Sequence, residues 1–272
     1  MHKLTKEELP AIAPLFEGVQ ETMVWSCLQG LMGEAYAEEE TPPACAQLLL
    51  GEFCFFGGDA RAAGAAELAG HIPRWLLAVP PDAAWEALIE QRYRGRFERV
   101  ERYAFEKEPS AFDRAYLARL AAVPAGYQEL PIGRELYEQL KAKEWSRDLV
   151  SQFPTWEDYR ANAVGTAALC ADEPVCGAST YAYYEGGIEI EIDTAPEHRQ
   201  RGLATACAAR LILTCLDRGL YPSWDAANPT SAALAEKLGY RPAGAYVTYA
   251  VRKSAGCVHS RRLAYLAGSS AI

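Results

Sequence analysis

The chain has 272 residues, of which half are hydrophobic, 11% aromatic and 23% charged; this excludes a disordered tail, a collagen-like repeat and a disulfide-stapled mini-protein. Its length favours two modest domains over one. Acidic residues outnumber basic ones 36 to 27, for a formal charge of −9, a field that disfavours nucleic acid, whose phosphates need a basic footprint, and favours a cationic substrate.

In chain order, Leu9, Ile12, Leu15 and Phe16 recur at helical spacing and predict a helix over about 6–31. After Thr41-Pro42-Pro43, the apolar stretch 44–56 ends in Gly57-Gly58-Asp59 and reads as buried strand, a hairpin broken at Gly51. An Ala-rich helix (60–70), a strand (75–79) and a helix (82–93) opened by Pro81 and Asp82 follow. Residues 99–105 alternate as a strand. Arg92, Arg94, Arg96 and Arg99 read as a solvated loop rather than an RNA footprint. No site stands out in this mixed α/β part, a domain over 1–124 whose role the sequence does not name.

The character changes at Val123-Pro124-Ala125-Gly126. A strand at 127–131 and a helix at about 133–143 come first, then a helical or loop-rich stretch, 145–163, broken at Pro154. Residues 167–171 and 175–181 read as a hairpin closed by Asp172-Glu173-Pro174. Ile188-Glu189-Ile190-Glu191-Ile192-Asp193 alternates strictly and is the clearest strand. An apolar helix follows over 202–218, then a strand (223–227), a helix (230–238) and a strand (243–251). The polar tail, 253–272, carries Arg261-Arg262.

The eight cysteines, Cys27, Cys45, Cys54, Cys170, Cys176, Cys207, Cys215 and Cys257, contain no C-x-x-C pair. They read as small buried hydrophobes in a reducing compartment. His2, His71 and His259 form no metal set, so no metal is expected. The amino terminus has no apolar h-region and no run approaches the roughly 20 apolar residues of a bilayer span. A cytoplasmic protein without membrane or nucleic-acid partners, monomeric or homodimeric, is expected.

The block Ile192 to Thr205 carries chemistry: a strand, a turn with Arg199, Arg201 and Gly202, then a helix. A helix start presents backbone N–H groups without internal partners at the positive end of the helix dipole. Gly202 and Ala204 lack bulk, so an anion can approach the backbone, and a pyrophosphate suits that geometry.

Arg199-Gln200-Arg201-Gly202-Leu203-Ala204 matches the Arg/Gln-x-x-Gly-x-Gly/Ala motif of the GCN5-related N-acetyltransferases (GNAT). Downstream, Asn228-Pro229-Thr230-Ser231-Ala232-Ala233-Leu234-Ala235-Glu236-Lys237-Leu238-Gly239-Tyr240 resembles a second segment of the same family. The resemblance covers 127–251, and the whole is similar to the longer branch with an extra amino-terminal domain, as in zwittermicin-resistance-type enzymes. It implies a mixed, mostly antiparallel sheet flanked by helices over 125–252, preceded by a smaller mixed α/β domain. It also implies acetyl-CoA as cofactor. The pantetheine arm would lie in a gap beside Ile192, Asp193 and Thr194, and backbone N–H groups from Gln200 through Gly202, Leu203, Ala204 and Thr205 would hold the pyrophosphate, with Arg199 and Arg201 at its rim. Asn228 would bond the pantetheine arm and Ser231 would touch the cofactor; the plain alternative for Asn228 is a helix cap.

The reaction implied is direct attack of a primary amine on the thioester, which calls for a base. Glu189, Glu191 and Asp193 share one strand face and Ile188, Ile190 and Ile192 the other. The acids either line an amine pocket, with Glu189 first choice of base and Glu191 second, or form a solvated face. Tyr181 and Tyr183 share a face and either shape the acceptor pocket or pack in the core. The family often places an acidic tyrosine where this chain has Ala235. Tyr240, Tyr246 and Tyr249 are the substitutes, Tyr240 having core packing as its alternative; otherwise the thiolate leaves unaided, its pKa lying near ~8.5. The expected function is acetyl transfer to a small-molecule amine. The alternatives are a non-catalytic acyl-CoA-binding module, suggested by Ala235, and a transferase acting on protein or aminoacyl-tRNA.

Overall fold

The computed structural model describes residues 1–73 and 76–251. Trp75, Cys257, His259, Arg261-Arg262 and the tail 253–272 lie outside the described residues. The elements of the amino-terminal part are β1 (His2–Lys3), α1 (Leu9–Ile12), α2 (Thr22–Leu28), β2 (Glu34–Ala37), β3 (Cys45–Leu50), β4 (Phe53–Gly58), α3 (Ala65–Gly70), β5 (Leu77–Val79), α4 (Ala83–Arg92) and β6 (Phe97–Phe105). They continue with α5 (Arg114–Leu120), β7 (Gln128–Pro131), α6 (Arg134–Ala142), α7 (Trp156–Asn162), β8 (Gly165–Cys170), β9 (Glu173–Tyr184), β10 (Gly187–Thr194), α8 (Leu203–Asp217), β11 (Tyr221–Ser223), β12 (Asp225–Ala226), α9 (Pro229–Lys237) and β13 (Pro242–Val251).

The described chain divides into two compact units, Met1–Arg102 with residues 246–251, and Tyr103–Ala245. The boundary thus falls inside β6, and the break read at Pro124 lies within the second unit. Strand β13 begins in the second unit and ends in the first.

In the first unit the strands run β1-β2-β3-β4-β5-β13-β6. Strands β2, β3 and β4 form an antiparallel meander, and β5 joins β4 in parallel through α3. The core gathers Leu68, Ile72, Trp85, Ile89 and Tyr249, all essentially inaccessible to solvent. Asp82 caps α4 by accepting from the N–H groups of Ala84 and Trp85, as its sequence position suggests. The long helix expected over 6–31 is broken instead into short helical pieces, since Pro14 removes a donor and Gly18 takes φ +81°.

The second unit carries a five-stranded sheet, β11-β10-β9-β8-β7. The β8–β9 hairpin closes on Ala171 and Asp172, both with positive φ, as a two-residue turn of this hand requires. The turn therefore starts one residue before the expected Asp172-Glu173-Pro174 and shares only Asp172 with it. Pro174 sits within β9 where the register with β8 shifts, a bulge being the place a strand tolerates proline. Helix α8 covers one sheet face: Leu203, Cys207, Leu211, Ile212 and Cys215 meet Ile188, Ile192 and Ala178 in a continuous core. Ile190 packs half-buried against the same cluster. Burial of these side chains, roughly 1.5–3 kcal/mol for each large one, fixes β10 under α8.

Candidate active site in the second unit

Strand β10 pairs with β9 along its whole length, but with β11 only at Gly187↔Tyr221, Ile188↔Pro222 and Glu189↔Ser223. Beyond Ser223 the chain turns away, and Asp225–Ala226 pairs with Ala104 and Tyr103 of β6 instead. The two parallel strands therefore split just after Glu189, so that among the described residues Ile190 to Thr194 pair with β9 alone. This split is what the motif resemblance implied beside Ile192, Asp193 and Thr194.

At the far end of β10 the turn enters α8. Gln200 has φ +59° and Gly202 φ +82°. Gly202 is the N-cap, and no side chain caps the helix. By helix geometry the N–H groups of Leu203, Ala204 and Thr205 have no acceptor within the helix. Leu203 and Ala204 are buried in the core, while Gln200, Arg201 and Gly202 are exposed. Among the described residues, a Cβ on Gly202 would meet no atom within 4 Å, so they leave the space before the helix start open. A pyrophosphate fits here by shape and by charge.

The two arginines are held by their own turn. Arg199 Nε donates to the Thr194 carbonyl at 3.3 Å. The Arg201 guanidinium donates to Glu197 O at 2.9 Å and to the Tyr127 hydroxyl at 3.1 Å. Tyr127 also meets His198 Nδ1 at 3.0 Å. Thr205 Oγ1 lies 3.5 Å from Lys237 Nζ of α9. The sequence places Tyr127 only at the start of a strand, and nothing in the local pattern reveals its place as the clasp of this turn.

Asn228 is the N-cap of α9, its Oδ1 accepting from Ser231 N at 2.9 Å, so the plain capping role is present. Ser231 Oγ accepts from the Trp224 indole at 3.1 Å, and both residues are buried. Trp224 lies where β11 leaves the sheet, and that bond ties the divergence to α9.

The acidic face is not solvated. Glu189 is 5% and Asp193 4% exposed, with Glu191 half-buried. Burial, then the carboxylates of Glu191 and Asp148, push the Asp193 carboxyl well above its ordinary range. Asp148, from the short 3-10 helix Arg147–Leu149, enters this cluster from the stretch 145–163, whose sequence reads as helical or loop-rich and marks no site residue. Glu189 lies at the vertex of the split, opposite Ser223. Tyr184 is beside it, its phenol pushed up mainly by burial, with Glu189 as a neighbouring charge.

Tyr181 and Tyr183 do not keep the simple alternation. The β9–β10 register passes from Ala182↔Glu189 to Thr180↔Ile190, so Tyr181 is the extra residue of a bulge. Tyr181 is buried, while Tyr183 stacks on Phe153 at 6.3 Å between ring centroids.

The structure places Tyr240 in the core: it is 4% exposed, donates to Pro222 O at 2.6 Å and packs edge-on against Phe105, Phe112 and Trp224. Burial first, then Tyr221, Cys215 and Glu189, drive its phenol far above the ordinary range. An acid role is thus displaced by the packing role that its position closing α9 also suggested. Tyr249 belongs to the first unit, its hydroxyl 3.0 Å from Glu86 Oε2 and 2.9 Å from Glu90 Oε1. Ala235 is fully buried. A cavity of about 330 Å³ lies at the other edge of the sheet, against β7, Trp156 and Arg160, away from the split.

A split parallel pair beside an anion-ready helix start defines a cofactor-binding fold of the GCN5-related N-acetyltransferase type. The sequence profile of the GNAT acetyltransferase family matches residues 13–249, and the chain belongs to that family. The match reaches well into the first unit, further back than the motifs at 127–251. The chain is 26% identical over 264 residues to an uncharacterized N-acetyltransferase, YdfB, of Bacillus subtilis strain 168, covering 92% of this chain and 98% of that one. It is 41% identical to a GCN5-related N-acetyltransferase-like protein from Streptococcus suis 89/1591, with a TM-score of 0.84 over 90% of this chain and 99% of that one. A tandem GNAT protein from the clavulanic acid biosynthesis pathway shares the fold, with a TM-score of 0.56 at 14% identity over 91% of this chain and 96% of that one. Among the described residues no helix is long and apolar enough to cross a membrane.

Proposed function

We propose that the second unit binds acetyl-CoA and transfers its acetyl group to the primary amine of a small molecule. The observation that carries this reading is the split of β10 from β11 at Glu189, continuous along β10 with the open start of α8. The N–H groups of Leu203, Ala204 and Thr205 would receive the pyrophosphate, with Gln200, Gly202, Arg199 and Arg201 around it. The backbone of Ile192, Asp193 and Thr194 would pair with the pantetheine amides, and Asn228 and Ser231 would stand at the start of α9 on the far side of the gap. The bound thioester supplies an activated acetyl group.

The chain's own part is to take a proton from the incoming ammonium and hold the amine in line. Glu189 is the first choice of base, at the vertex of the split; Glu191 is the second. A buried carboxylate face attracts a cation, and it does so in a low-dielectric setting where the attraction is strong. With Ala235 in place of the family's tyrosine, α9 supplies no proton donor at that position, and a thiol pKa near ~8.5 would permit a departure without one. Tyr184 is the protonated hydroxyl beside Glu189 and Ser223.

The test is to incubate the protein with acetyl-CoA and a panel of amines, peptides included, and follow free thiol. Amine-dependent thiol release is expected. Tight CoA binding with no turnover across the panel would support the non-catalytic acyl-CoA-binding module instead.

A further inference from the structure

The first unit repeats the element order of the second. Meander β2-β3-β4, helix α3 and parallel strand β5 correspond to β8-β9-β10, α8 and β11. The parallel pairing is equally short, Phe53↔Leu77, Cys54↔Ala78 and Phe55↔Val79. By topology, the entry to α3 in this unit is the counterpart of the entry to α8.

That entry is occupied by the chain itself. The Glu38 carboxylate, 3% exposed, accepts from Gly64 N at 3.0 Å through Oε2. Through Oε1 it accepts from Ala44 N at 2.6 Å and Cys45 N at 3.2 Å. Gly64 is the residue from which α3 starts, and a Cβ there would collide with Glu38. Burial works against the charge of Glu38, but the three backbone donors outweigh it and hold the carboxyl below the ordinary glutamate range. An ionised group in this position is what a helix start and converging N–H groups favour.

Loop length explains the difference between the units. The β8–β9 connection is only Ala171 and Asp172, and nothing reaches the start of α8 from it. The β2–β3 connection runs from Glu38 to Ala44, and its first residue delivers a carboxylate to the start of α3. Helix α3 is also short, six residues against fifteen in α8.

We infer that Glu38 is an internal anion, filling in the first unit the place that the second unit keeps for the CoA pyrophosphate, so that each chain binds a single CoA, at the second unit. The stoichiometric half of this inference rests on the function proposed above; the role of Glu38 does not.

Two measurements on the full chain test it. Calorimetric titration with CoA is expected to give one site per chain, and none in a Gly202→Val variant that blocks the start of α8. Two sites, or one surviving in Gly202→Val, overturns the inference. No binding at all sinks the proposed function, and the second measurement then decides Glu38 by itself. Glu38→Ala is expected to lower the thermal midpoint by roughly 5 °C or more. Acetate in the millimolar range should restore part of that loss, relative to chloride at equal ionic strength, and should leave the wild type unmoved. Indifference of Glu38→Ala to acetate overturns the role.

Should Glu38→Ala fail to fold, Glu38→Gln keeps the acceptor oxygen and loses the charge. Because the folded carboxyl lies below its ordinary range, its stabilisation is present above that range and disappears as the pH falls through the folded value. The midpoint gap between wild type and Glu38→Gln should therefore close at acid pH. A gap independent of pH overturns the inference.

Discussion

Two glycines flank α8, and their comparison isolates the cofactor grip from backbone strain. Gly202 has φ +82° at the N-cap and Gly219 has φ +71° just past the C-cap. Among the described residues, a Cβ on either would meet nothing within 4 Å. Alanine at each position thus costs only the left-handed backbone, about 1–2 kcal/mol. For a chain of this size that is a fall in thermal midpoint of roughly 2–8 °C in both variants. Their ligand effects should differ. The methyl group of Gly202→Ala stands in the open space before Leu203 N, and losing one charge-assisted hydrogen bond there is worth about 1.5–3 kcal/mol. CoA affinity should drop roughly 10- to 100-fold. Gly219→Ala, at the opposite end of the helix, should bind CoA as the wild type does. Thermal unfolding and calorimetric titration of the pair measure both quantities. Equal CoA affinities in the two variants would refute the assignment of the α8 start.

Glu189→Gln should lose acetyl transfer by roughly 10²- to 10⁴-fold, the usual range for a positioned base, with CoA affinity unchanged in a direct titration; a full rate across pH would pass the role to Glu191. For Asp193, whose folded carboxyl is pushed up by burial and by Glu191 and Asp148, the sign is opposite to that of Glu38. Its stabilisation is present below the ordinary carboxylate range and is lost as pH rises through the folded value. Asp193→Asn should match the wild type in urea midpoint near pH 4 and exceed it near pH 8, and an Asn variant weaker at every pH would contradict this. Tyr240→Phe, which removes the bond to Pro222 O, should cost about 0.5–1.5 kcal/mol of stability with kcat within about twofold of wild type; a hundredfold fall in kcat would restore Tyr240 as an acid.

The second unit was legible where backbone chemistry demands particular residues. Gly202 is needed at φ +82°, and Asn228 caps α9; both leave a mark in the local sequence, and so does the alternation of β10. What was not legible depends on distant partners. Asp148 reaches Asp193 from another loop, Tyr127 clasps Arg201 from 74 positions away, and the bulge at Tyr181 is a property of two strands rather than one. The kinship of the first unit was hidden for a similar reason. Its helix start needs no arginine or glycine-rich signature, because Glu38, 26 positions upstream of Gly64, supplies the anion. Periodicity misled at 6–31, where apolar spacing looked helical but Pro14 and Gly18 interrupt it.

The crossing of β13 has a consequence for how the chain is made. Within the first unit this strand lies between β5 and β6, with Tyr249 opposite Ala78 and Thr248 Oγ1 donating to Val100 O at 3.0 Å. While the ribosome is producing the stretch from 103 to 245, that sheet lacks an interior strand, and the facing edges of β5 and β6 stand open. At translation rates of about 5–20 residues per second the interval is on the order of ten seconds. The first unit is therefore the first to be started and among the last to be finished. A fragment ending at Arg102 would carry the same open edges for its whole lifetime, which makes it a poor candidate for separate expression.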